Sequence, residues 1–83
     1  MDNYIVIIFE STHLAIKTEK LLSGLDIDMI PTPRQLNANC GISIKADISL
    51  LSSIKDKMGI SYGDKNLCYE VNKVDGELTF IKR

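Results

Sequence analysis

The sequence predicts an α+β domain with the ferredoxin-like split βαβ topology (β-α-β-β-α-β), and three observations carry that expectation. Apolar spacing switches between strand and helix periodicity in that order along the chain. Gly24, the Pro31 to Pro33 segment and Gly59 fall where the pattern changes. Near the end, Asp75-Gly76 marks a tight hairpin that adds a C-terminal strand.

Tyr4 to Phe9 is continuous, β-branched and aromatic, as a strand reads when both its faces are covered, so it is expected at the centre of a sheet. Ser11-Thr12 offers a helix cap. After it Leu14, Ala15, Thr18, Leu21, Leu22 and Leu25 form one helical face, with Lys17 and Lys20 off it and Gly24 as the stop. Ile27 to Ile30 is a short strand ended by Pro31-Thr32-Pro33, because proline lacks the ladder donor. A loop, Arg34 to Asn39, leads to Cys40-Gly41 and to the alternating strand Ile42 to Lys45. Asp47 is placed to cap a second helix with Ile48, Leu51, Ile54 and Met58 inward and Gly59 at its end. Leu67 to Val74 and Leu78 to Phe80 are the last two strands.

Eighty-three residues, 45% hydrophobic and 25% charged, suit one globular domain, 1–83. A net charge of −1 supplies no basic footprint for a phosphate backbone, so nucleic acid is not an expected partner. The apolar run from Tyr4 to Phe9 follows Asp2, ends at Glu10 and is too short for a signal or membrane segment, which points to the cytoplasm and no membrane partner. Two cysteines, Cys40 and Cys68, read as reduced thiols rather than as a disulfide framework. Because the first strand is apolar on both faces and two helices cover one, a homo-oligomer through the open sheet face is expected.

Chemistry is sparse. Nucleotide, zinc-protease and serine-hydrolase motifs are absent from the sequence, and no cofactor or metal is expected. If the first strand points up, right-handed crossover brings His13, Arg34 and Cys40 to one edge of the sheet. Cys40 there would lie near a helix N-terminus, whose partial positive charge favours a thiolate, and Gly41 would let a partner approach the backbone. The competing reading makes Cys40 a small buried residue at a strand start. His13, the single histidine, is placed to share a proton with Cys40 or to steady an anion, although a solvated histidine at a helix start is commoner. The planar fork of Arg34 suits an oxyanion, and a solvated loop arginine is the alternative. Cys68 reads as a packing residue. A Cys40, Cys68 and His13 metal site would need all three at one edge, without support from a close CxxC spacing.

Pro31-Thr32-Pro33-Arg34 followed by Cys40-Gly41, together with Ser11-Thr12-His13 and Glu19-Lys20-Leu21-Leu22 after an apolar first strand, resembles the selenium/sulfur carrier protein-like family of bacteria over roughly residues 4 to 72. The resemblance implies a non-enzymatic carrier that holds sulfur or selenium as a persulfide or perselenide on Cys40, with Arg34, His13 and Gly41 in support. Its partners would be sulfur or selenium donor and acceptor proteins. Leu14 departs from that pattern, being apolar where a polar residue is expected, and the hairpin from Leu67 to Ile81 lies largely outside it. Beside the carrier stands a reading from another class: a non-catalytic small-ligand or protein-interaction regulatory module in which the cysteines are structural.

Overall fold

The apolar run near the start of the chain forms β1 (Asn3–Phe9), the central strand of a five-stranded antiparallel sheet ordered β2-β3-β1-β4-β5 in a computed structural model. Residues 3–83 are described; Met1 and Asp2, which belong to the expected domain 1–83, lie outside the described residues. The other strands are β2 (Ile27–Pro31), β3 (Ile42–Asp47), β4 (Asn66–Val74) and β5 (Glu77–Lys82). Two helices, α1 (Thr12–Leu21) and α2 (Leu51–Met58), complete an α+β fold. Ile7 of β1 stands between Ile44 of β3 and Cys68 of β4, and this register makes β1 the spine of the molecule.

Alternation along β1 divides the apolar residues between two faces. Ile5, Ile7 and Phe9 meet Ala15 and Leu22 from α1 and its C-cap, and Ile54 and Met58 from α2, so both helices lie on one side of the sheet. The inward stripe of α1 is narrower than its sequence suggests. Ala15 and Thr18 are buried with Leu22, whereas Leu21 is 47% exposed because one helical step rotates it about 100° from Leu22. Leu14 and Leu25 pack at the margin.

Val6, Ile8 and Val71 form the cluster on the opposite face, where a second chain was expected to supply the cover. The chain supplies it instead: Leu36 and Ala38 from the loop after β2, with Tyr4, Ile30, Tyr69 and Phe80, pack against the cluster. Val6 is fully buried and Ile8 only 6% exposed, so the packing need behind self-association through that face is met internally.

Asp47 caps, but not an α-helix directly. Its carboxylate accepts the Ser49 amide at 2.9 Å and also the Ser49 hydroxyl, and this fixes a 3-10 turn, Ile48–Leu50, that feeds α2. The Ser49 hydroxyl first, and its amide second, hold the Asp47 carboxyl below the ordinary carboxylate range. A depressed folded pKa means a contribution to stability that is present above the unfolded value of ~4 and is lost as pH falls through the lower folded value. Urea midpoints between about pH 2 and pH 5 should therefore fall with pH, and Asp47→Asn should flatten part of that slope.

Asp75 (φ 52°) and Gly76 (φ 81°) close the β4–β5 hairpin, the pair of left-handed residues that a two-residue turn matching strand twist requires. No helix among the described residues is long and apolar enough to cross a membrane.

Candidate functional site

Antiparallel pairing of β1 with β3 sets the start of β3 beside the end of β1, which is also where α1 begins. Cys40, two residues before β3, is thereby carried to the first residue of α1. Its Sγ lies 3.5 Å from the Thr12 hydroxyl. The Ile42 amide donates to the same sulfur at 3.4 Å, and the thiol can donate to the Ile42 carbonyl at 3.3 Å. Thr32 anchors the segment from the β2 side. Its hydroxyl donates to the Cys40 carbonyl at 2.9 Å and contacts the Ser43 hydroxyl at 2.6 Å, while its amide donates to the Gly41 carbonyl at 2.9 Å.

Cys40 therefore reaches the start of α1, as the element order requires, while no contact among the described residues joins His13 or Arg34 to it. Cys40 is 3% exposed, the packing that the buried reading of this residue describes, because its side chain turns inward to join Phe9, Ala15 and Ile44 rather than outward to solvent. Thr12, not His13, is the α1 residue on the sulfur; the next helical step carries the exposed His13 away, and no hydrogen bond from it occurs among the described residues. Arg34 stands exposed in a 3-10 turn, Arg34–Leu36, with no ion pair among the described residues. Gly41 is exposed, and a Cβ built there would meet nothing within 4 Å, so the glycine leaves open space over the backbone beside the thiol. Thr12 was legible as a helix-start residue; its role on the sulfur depends on a contact between residues 28 positions apart.

Thr12 is the part of the shell that reaches solvent. Thr12→Ala should accelerate alkylation of Cys40 by iodoacetamide about five-fold, equivalent to lowering the cost of exposing the thiol by about 1 kcal/mol. A rate equal to that of the parent protein would mean that Thr12 does not limit access to the thiol.

Cys68 occupies a different environment, in β4 opposite Ile7 and 4% exposed. No group of three His, Cys, Asp or Glu residues able to hold a metal occurs among the described residues. Burial pushes the Cys68 thiol above its ordinary value, against smaller opposing effects from the Tyr62 hydroxyl, Lys55 and Arg83. Burial, and then the neighbouring Cys68, likewise hold the Tyr62 hydroxyl far above the tyrosine range; that hydroxyl donates to the Arg83 main-chain oxygen at 3.1 Å. Raised acids keep their protons in the folded state while the unfolded chain loses them. This contribution to stability should therefore be complete below the ordinary cysteine value of 9.0 and decline as pH rises past it and past the tyrosine value of 10.0. Cys68→Ala should remove the earlier part of that decline in urea titrations.

Beside the loop that delivers Cys40, residues Leu36 to Asn39, Gly63 and Lys65 to Leu67 line an open cleft of about 330 Å³ together with the end of β1; Cys40 itself does not line it. Known proteins add one decisive comparison. A family model described as "Putative Se/S carrier protein-like" matches residues 4–62, well over half of the chain. The chain belongs to this family. The match covers β1 through the turn after α2, including Thr12, Thr32, Cys40 and Gly41, and stops before Cys68 and the β4–β5 hairpin. No curated protein and no solved structure matches the chain.

Proposed function

We propose that this member of the selenium/sulfur carrier protein-like family holds a sulfur or selenium atom on Cys40 and passes it between a donor and an acceptor protein, without turnover of its own. The observation that carries the reading is the thiol of Cys40 held between Thr12 and Ile42, inside the segment that the family match covers. In loading, the Cys40 thiolate, its proton released to solvent, attacks the outer sulfur of a donor persulfide. The donor S–S bond breaks, its inner sulfur leaves as a thiolate, and a persulfide remains on Cys40. No net oxidation occurs, and unloading is the same exchange toward an acceptor thiolate. A donor that carries selenium in the outer position would leave the corresponding selenium adduct.

Burial gives this carrier a gate. The thiol must be exposed for each exchange, and between exchanges Thr12 and the Thr32-anchored segment shelter the cargo from reductants. We further read the strand order as a ferredoxin-like split βαβ sheet extended by β5, and place the protein in the cytoplasm, where two free thiols are stable, with no role for nucleic acid.

The deciding experiment incubates reduced protein with a cysteine desulfurase and cysteine, or with polysulfide, and follows intact mass. The expected result is one added sulfur per chain, mapped to the peptide containing Cys40 and removed by dithiothreitol. The 3% exposure of Cys40 favours a second reading, a regulatory binding module with structural cysteines. Absence of a sulfur adduct, with Cys40 inert to alkylation, would select it.

A further inference from the structure

The sheet has two edges, and they are not alike. β2 is five residues long and ends in Pro31, features that discourage pairing with another strand. β5 is longer, has no proline and leaves Leu78 and Ile81 exposed. The hairpin fixes which of its backbone groups are free. Val74 pairs with Glu77 across the two-residue turn, and the Arg83 amide donates to the Cys68 carbonyl at 2.8 Å, so residues 77, 79, 81 and 83 bond toward β4. The amides and carbonyls of Leu78, Phe80 and Lys82 therefore point away from the sheet.

From this edge we infer that β5 pairs antiparallel with β5 of a second copy of this chain, about a two-fold axis that passes between the two Phe80 residues. Pairing about such an axis must set residues of the same face opposite one another. Leu78, Phe80 and Lys82 share the face of Val71, since Phe80 pairs with Val71, whereas Glu77, Thr79 and Ile81 lie on the helix side with Glu70, the partner of Ile81. With Phe80 opposite Phe80, each outward residue exchanges its amide and carbonyl with the second copy: Phe80 with Phe80, Leu78 with Lys82, and Lys82 with Leu78. On the helix side Thr79 falls opposite Ile81, and Glu77 opposite Arg83 of the second copy, twice by symmetry. Sliding the strands by one same-face step sets Glu77 opposite Ile81 or Phe80 opposite Lys82 and loses the charge match. Arg83 also contacts Glu70 of its own chain at 3.6 Å, so Glu77 of the second copy would join that pair, and this charge match favours a second copy as the occupant and favours this register. The association uses the β5 edge, not the sheet face closed by Leu36 and Ala38, and is independent of the carrier reading.

Light scattering from about 10 µM to about 1 mM should show the mass rising toward twice that of one chain, the behaviour of a small interface. Leu78→Pro removes an outward amide and no bond to β4, so it should abolish the rise. Glu77→Arg, which sets like charges opposite Arg83 at an exposed position, should weaken association about five-fold even if the proline variant folds poorly. Thr79→Cys and Ile81→Cys proteins, mixed under a mild oxidant, should form a mixed disulfide faster than either forms one alone. A mass that stays at one chain up to about 1 mM overturns the proposal and leaves the edge to a different protein. So does a dimer unchanged by Glu77→Arg, or an equal mixture that cross-links no faster than its components.

Discussion

Cys40→Ser is expected to abolish sulfur loading, while Cys68→Ser loads to the same extent as the parent protein. The contrast is all-or-none because a hydroxyl at position 40 cannot hold a sulfane sulfur in thiol exchange, whatever its position. It is also separable from folding. Serine at position 40 can still accept from the Ile42 amide and donate to its carbonyl, so its cost to stability should be about 1 kcal/mol. Cys68 lies in the apolar layer opposite Ile7, and a hydroxyl there should cost more, about 1–3 kcal/mol, with loading intact. Intact mass after exposure to a persulfide donor, read beside a urea titration of each variant, gives both quantities. Loading that survives in Cys40→Ser and disappears in Cys68→Ser would transfer the carrier role to β4, outside the segment that the family match covers.

The strands and helices were legible because their signals are periodic or local. A β-branched run gives β1, Asp75-Gly76 gives the hairpin, and the Asp47 carboxylate announces a capped turn. What stayed hidden has no period. Leu36 and Ala38 sit in a loop, and nothing in their spacing says that they fold over Val6 and Ile8. Without them an apolar central strand asks for a second chain; with them it does not. The site shows the same division. Topology placed Cys40 beside the start of α1, as the element order demands, yet whether a side chain just before a strand points inward is a matter of backbone angles that residue type does not encode. The choice between Thr12 and His13 turned on a single helical step.

The largest change in stability should come from Ile7→Ala. Ile7 is fully buried, held in register between Ile44 and Cys68 on the sheet face that α1 and α2 cover. Removing its outer carbons forfeits their transfer energy and leaves a cavity with rigid walls, since two ladders fix the neighbouring backbones and the helices cannot settle into the gap. Such truncations cost about 2–5 kcal/mol, a large part of the roughly 5–10 kcal/mol that holds a domain of this size together. At about 4–8 °C per kcal/mol, the melting temperature should fall by at least about 8 °C. Leu21→Ala supplies the internal control. It removes as much hydrocarbon from a side chain that is 47% exposed, and should change stability by about 0.5 kcal/mol or less. Calorimetry on the two variants would decide the matter, because equal losses would mean that Leu21, not the Ala15–Thr18–Leu22 stripe, carries the packing of α1 against the sheet.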